Sequence, residues 1–213
     1  MNFHEKISPD ERLVFASILI VSLIALAGLI LLIRNGYLAH LDQSILGGFH
    51  KIKRPVLDHF FSAITWLGSL WVLLPLYLVL VWVLSDKIPS FERVMGIGFF
   101  GAVITTYVIK FMLERKRPHF YGVISELPLD PAFPSAHTTQ VIAFSLLLWI
   151  LLYTGPSVLN LLLSLSLVAL AVSVALSRMY LQVHYPTDVA AGVLIALIWS
   201  SIAVLVVKSG GAT

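Results

Sequence analysis

Cysteine is absent from the 213-residue sequence. That absence excludes disulfides, thiol nucleophiles and cysteine-ligated zinc. It leaves the redox compartment open, because a cysteine-free chain tolerates either side of a membrane. Charge is scarce as well. Only 12% of residues are Asp, Glu, Lys or Arg, against 59% hydrophobic, whereas a soluble domain holds ~25% charged and about 45–50% apolar residues. With a mean hydropathy of +0.95, the composition argues against a soluble globular domain and against a disordered chain. The formal net charge is only +3, and no basic helix or strand stands outside the apolar segments, so nucleic acid is a poor fit as a partner.

What the sequence has instead is long apolar runs. A helix crossing a bilayer needs ~20 predominantly apolar residues. The runs predict an all-α membrane protein with six transmembrane helices in one bundle, at about 13–33, 60–84, 91–112, 135–153, 158–176 and 186–207. No internal repeat divides the chain, so residues 1–213 read as a single integral-membrane domain. The first run is too long, and its flank of Glu5, Asp10 and Glu11 too acidic, for a cleaved signal peptide. Between spans 1 and 2, Tyr37, Leu38, Leu41, Ile45, Leu46 and Phe49 recur at roughly helical spacing. A helix lying at the membrane interface and a loop helix packed on the bundle fit that pattern equally well. Trp66, Trp71 and Trp82 sit near the ends of span 2, where indoles favour the headgroup level. Gly96, Gly98, Gly101 and Ala102 make span 3 a surface for close helix approach.

Six alternating spans place the end of span 3, the start of span 4, the end of span 5 and the start of span 6 on one membrane face. Three polar groups map there. Lys110 and Arg117-Pro118 close span 3, seven residues apart; if the helix continues, both point the same way, and two cations aimed at one spot suit a phosphate. Pro134-Ser135-Ala136-His137 opens span 4; Ser135 can cap the helix, and unpaired first-turn amides favour an anion. Ser177-Arg178 closes span 5, and His184 and Asp188 flank Pro186 at the start of span 6. A carboxylate accepting one ring N–H leaves the other imidazole nitrogen free and nucleophilic. Each group alone has a plainer reading: a snorkelling basic flank, an N-cap beside an interfacial His, and a structural Arg–Asp pair with a loop His. Convergence of all three on one face points to a site for a phosphoryl group. A second His could protonate a leaving oxygen. Asp188 is the only acid among the three groups, which gives no oxygen cluster for a hard cation, so no metal and no cofactor are expected.

The three groups resemble the type 2 phosphatidic acid phosphatase superfamily of membrane lipid phosphatases, whose pattern runs KxxxxxxRP, PSGH and SRxxxxxHxxxD. Here the pattern reads Lys110 to Arg117-Pro118, Pro134-Ser135-Ala136-His137, and Ser177-Arg178 to His184 to Asp188. The resemblance implies a fold of six spans and a set of roles. His184 would be the nucleophile that forms a phosphohistidine, Asp188 would orient and polarise it, and His137 would protonate the leaving oxygen. Lys110, Arg117, Ser135, Ala136 and Arg178 would make up the phosphate-binding shell. Ala136 stands where Gly is frequent, and since Ala does not readily take positive φ, the backbone there should be an ordinary helix start. Soluble vanadium haloperoxidases carry the same motifs, but the composition argues against them.

The expected activity is metal-independent hydrolysis of a phosphomonoester or diphosphate on a membrane lipid. Undecaprenyl diphosphate, phosphatidylglycerol phosphate, phosphatidic acid and lipid A 1-phosphate are the candidate substrates. A lipid phosphotransferase would share the intermediate, and a transporter or scaffold would need all three motifs to be decorative. Lys and Arg number nine on the motif face and five on the other, or six to five once Lys110, Arg117 and Arg178 are set aside as site groups. That balance decides nothing by the positive-inside rule. The resemblance implies a multi-pass protein of the cell (inner) membrane with its site on the extracytoplasmic face. The loop from Phe120 to Pro134, with Pro128 and Pro131, is expected to shape selectivity.

Overall fold

The computed structural model describes residues 7–122 and 129–209; Pro128 and part of the loop expected to govern selectivity lie outside them. Among the described residues all regular structure is helical. Helix α1 (Pro9–Arg34) begins at a capping box. The Ser8 hydroxyl accepts the Glu11 N–H, the Glu11 carboxylate accepts the Ser8 N–H, and Pro9 takes the first helical position, where no N–H is needed. The segment between the first two expected spans forms a helix, α2 (Ala39–Lys51), followed by α3 (Pro55–Ile64).

Span 2 is not continuous. A 3₁₀ turn (Thr65–Gly68) and an extended Ser69 separate α3 from α4 (Leu70–Leu84), and the two halves are bent by 45°. Span 3 is one path of three pieces: α5 (Phe91–Met95), a π turn (Gly96–Phe100) and α6 (Gly101–Leu113). Then come α7 (Ala136–Leu152), α8 (Val158–Tyr180) and α9 (Pro186–Ser209). Helix α8 runs one turn beyond the expected end of span 5, which brings Arg178 into regular helix.

Among the described residues, four helical stretches (α1, the α5–α6 path, α8 and α9) are long and apolar enough to cross a membrane, five if the bent α3–α4 pair counts as one; α7, at 17 residues, is apolar but shorter. Helices α7 and α9 form the centre, with α1 lying along α9 and α8 along α7. Close packing on α9, by α7 and by α6, needs small residues. A Cβ on Gly192 would come within 3.0 Å of the Ser135 carbonyl, and one on Gly101 within 2.1 Å of the Trp199 ring. In lipid no hydrophobic drive pulls helices together, so such close backbone packing carries the association. The outward faces of α1, α4 and α8 expose Leu, Ile and Val throughout, among them Ile24, Leu78 and Leu162, a surface suited to hydrocarbon and not to water.

Candidate functional site

The three motif groups meet in a cavity of about 380 Å³ at one end of the bundle, lined by Lys110, Arg117, Asp130, His137, Arg178 and His184 together with Tyr107, Leu129 and Ala136. Lys110 reaches it from the last turn of α6 and is fully buried. The helix stops sooner than the spacing suggested. Glu114 takes a left-handed conformation (φ 45°), so Arg117 leaves the helical path. Lys110 and Arg117 converge through the loop and not as two turns of one helix face. Their meeting point is Asp130: its carboxylate lies 2.8 Å from Lys110 Nζ and 2.7 Å from Arg117 Nη2. Lys110 also donates to the Pro131 carbonyl, and Arg117 Nε to the Asp130 carbonyl at 3.0 Å. Burial pushes the Asp130 carboxyl up, but the adjoining Lys110 and Arg117 charges outweigh it and hold the group below its ordinary value.

Ser135 occupies the N-cap position of α7, but its hydroxyl pairs with Thr138 Oγ1 at 2.9 Å and makes no side-chain cap bond, and its N–H donates to the Asp188 carbonyl at 3.0 Å. It therefore stands behind the cavity wall, not in it, unlike Ala136 and His137 in the first turn. Ala136 is ordinary helix, as expected from its side chain.

Arg178 ends α8 with Nη1 on Thr65 Oγ1 and with a buried Nε that has no protein partner. Beyond it the chain doubles back. Gln182 adopts positive φ (61°), and the N–H groups of Val183 and His184 both donate to the Arg178 carbonyl at 3.2 Å. This turn sets His184 beside Arg178 and fully desolvates the ring. Burial, then the charges of Arg117, Arg178 and Lys110, hold the His184 imidazole well below its usual value, so it is neutral at pH 7. Its tautomer follows from a neighbour. Arg117 Nη1 lies 3.1 Å from His184 Nε2, and a guanidinium only donates. Nε2 therefore offers its lone pair and the proton resides on Nδ1. Nδ1 faces Asp188 Oδ2 at 3.4 Å, close but without hydrogen-bond geometry.

Asp188 is fully buried in the first turn of α9. Oδ2 accepts the Tyr185 N–H at 2.8 Å, which also caps the helix, while Oδ1 receives Arg115 Nη1 at 2.5 Å. Sequence reasoning missed Arg115, Asp130 and Thr65. Asp130 had a signal of sorts, an acid five residues before Ser135; Arg115 looked like one cation in a basic run. Among the described residues no group of three or more His, Asp or Glu is disposed to hold a metal ion.

An α-helical bundle with a cationic, histidine-lined cavity at one end defines a class. The family model described as the PAP2 superfamily matches residues 92–210, and the chain belongs to that superfamily. It is 35% identical over 122 residues to a decaprenylphosphoryl-5-phosphoribose phosphatase of Mycobacterium tuberculosis, a match covering 55% of this chain and 63% of that relative. To phosphatidylglycerophosphatase B of Bacillus subtilis it is 27% identical over 161 residues, covering 74% of this chain and 78% of the other. The crystal structure of a transmembrane PAP2-type phosphatidylglycerolphosphate phosphatase from Bacillus subtilis superposes with a TM-score of 0.71 and 25% identity, covering 92% of this chain and 94% of that one. Aquifex aeolicus LpxE shares the fold with a TM-score of 0.65 and 22% identity, covering 76% and 94%. With its long apolar helices, the chain is a multi-pass membrane protein.

Proposed function

We propose that this protein is a metal-independent lipid phosphate phosphatase working through a phosphohistidine on His184. The observation that carries the reading is the Arg117–His184 contact: Nε2 accepts from Arg117 Nη1 in the cavity that Lys110 and Arg178 also line, and a phosphate that takes over the Arg117 donor frees the Nε2 lone pair for attack. Nε2 attacks phosphorus in line; the N–P bond forms as the P–O bond to the lipid breaks, and the electron pair goes to the leaving oxygen, which His137 protonates. Asp188 steadies the charge that grows on the ring. Lys110, Arg117 and Arg178 hold the equatorial oxygens where charge develops. Water then attacks phosphorus while His137 takes its proton; the N–P bond breaks, its electron pair returns to Nε2, and inorganic phosphate leaves. Ser135 supports the first turn of α7 instead of binding phosphate through its hydroxyl.

A second cavity of about 380 Å³ shares Tyr107, Ala136, His137 and Arg178 with the first and continues along Leu70, Trp66 and Trp71 at the α3–α4 bend. It is a path by which an acyl or prenyl chain reaches the bilayer while its phosphate sits on His184. The named relatives act on phosphatidylglycerophosphate and decaprenylphosphoryl-5-phosphoribose, which supports a phosphomonoester on a lipid as substrate. On this reading the whole chain is one unit of six spans in the cell membrane, with α7 as the short span and the site on the extracytoplasmic face.

Purified protein assayed against phosphatidylglycerol phosphate, phosphatidic acid, undecaprenyl diphosphate and lipid A should release inorganic phosphate without an added acceptor, and in EDTA. His184→Ala should abolish release while remaining folded in detergent. Substrate consumed only when a second lipid is supplied, with its phosphate recovered on that lipid and not as inorganic phosphate, would establish a phosphotransferase, and near-normal turnover by His184→Ala would remove the mechanism.

A further inference from the structure

Behind the cavity, and not in its wall, lies a charge cluster of two buried carboxylates, Asp42 and Asp188, and the half-buried Arg115. Arg115 Nη1 donates to Asp188 Oδ1 at 2.5 Å and to Thr187 Oγ1 at 2.7 Å, and Nη2 donates to Asp42 Oδ2 at 2.7 Å. Its guanidinium lies 4.1 Å over the Tyr185 ring. Asp42, only 1% exposed, accepts the Thr187 N–H at 3.1 Å and the Thr187 hydroxyl at 2.7 Å. Helix α2 is thereby tied to the N-terminus of α9, and it is tied again by Gln182 Nε2 to the Leu46 carbonyl at 3.1 Å.

We infer that Arg115 and Asp42 are positioning residues that act on the reaction through Asp188. A fully buried carboxylate stays charged only beside a cation or strong donors. Arg115 is the one cation ion-paired with Asp188 among the described residues. It also fixes the carboxylate's rotation. With Oδ1 held by the guanidinium and Oδ2 by the Tyr185 N–H, Oδ2 is the oxygen presented to His184 Nδ1. Asp42 takes the second nitrogen of the fork, so the guanidinium can neither rotate nor slide toward the phosphate cations. Lys cannot reproduce this arrangement, because a single ammonium cannot span both carboxylates with a planar fork.

The inference rests on the phosphohistidine reading, and its test separates the two. Phosphate release from dioctanoyl phosphatidic acid in detergent is measured for wild type, Arg115→Gln, Arg115→Lys, Asp42→Asn, Asp188→Asn and the Arg115→Gln/Asp188→Asn double variant. Inhibition by vanadate is measured alongside. Arg115→Gln should lower kcat about 10–100-fold, short of the ~10⁴ that loss of an orienting carboxylate itself can cost. KM and the vanadate inhibition constant should move less than about threefold, since the phosphate shell is untouched. Arg115→Lys should recover part of the loss, and Asp42→Asn should show the same kcat-only pattern more weakly. The double variant should be no slower than Asp188→Asn alone, because two residues acting through one contact are not additive. Vanadate binding lost in step with kcat would make Arg115 a phosphate ligand and overturn the inference. So would independent, multiplying effects in the double variant, or near-normal kcat in Arg115→Gln. If Arg115→Gln fails to fold, the milder Asp42→Asn decides by the same split. A wild type that releases no phosphate from any lipid in the panel would instead sink the phosphohistidine reading.

Discussion

Asp130 sits between Lys110 and Arg117, where the proposed mechanism would place an incoming phosphate. Held below its ordinary value, it is an anion at neutral pH. Asp130→Asn should therefore free the cation pair and tighten vanadate inhibition several-fold; weaker inhibition would make Asp130 a scaffold for the two cations. His184 leads to a pH prediction. The folded state holds its ring neutral well below the usual value, while the unfolded chain takes up a proton near its ordinary pKa of ~6.5. The unfolded state then binds more protons, so stability falls as pH drops through about 6.5. The groups facing the ring are Lys110, Arg117, Arg178, His137 and Asp188. Melting temperature in detergent, followed from about pH 7 to pH 5, should decline less steeply in His184→Gln than in wild type; equal slopes would assign the proton uptake elsewhere.

At the scale of elements, the start of α7 is set against the second turn of α9 by one glycine. A Cβ at Gly192 meets the Ser135 carbonyl at 3.0 Å and Thr138 and Thr139 at 3.1 Å. Gly192→Leu should push the two helix starts apart, separating His137 from His184, with a loss of about 1–3 kcal/mol typical of overpacking. Thermal melting and phosphate release read the two effects, and unchanged values for both would show that the helices yield without cost. Most elements were legible because apolar runs of ~20 residues announce themselves, and Pro186 and the Ser135 segment marked helix starts. The break at Ser69 was not, since Thr65–Gly68 carries no proline or charge to interrupt the run. The end of span 3 was legible to within a residue, but the path beyond it was not: Glu114, an ordinary helix former, turns left-handed, so Lys110 and Arg117 do not share a helix face. In the site, the motif residues could be read by spacing. The Arg115 contacts to Asp42 and Asp188 each join residues 73 positions apart, and such pairing leaves no local periodicity to read.

For the whole molecule, sidedness is what charge counting left undecided. Asp42 and Gln182 tie α2 to the motif end of the bundle, so Lys51 at the end of α2 reports the side of the site. Lys87, in the turn between α4 and α5, reports the other, and both are exposed. Because the chain contains no cysteine, single substitutions give clean labels. Lys51→Cys should react with a membrane-impermeant maleimide in intact cells, and Lys87→Cys only after permeabilisation. The reverse pattern would put the site in the cytoplasm.

The bend between α3 and α4 has an optical consequence. Trp66 and Trp71, 60% and 84% exposed, flank the groove that leads from His137 and Arg178 to the surface, whereas Trp149 and Trp199 donate their indole N–H groups to Ser164 and Thr105 inside the bundle. The groove thus carries its own fluorophores. A lipid phosphate with bromine atoms near the head of its acyl chain should quench part of the intrinsic emission as it docks. Trp66→Phe/Trp71→Phe should abolish that concentration-dependent quenching while leaving the steady signal of Trp82, Trp149 and Trp199, so substrate arrival can be timed separately from phosphate release without attaching a dye.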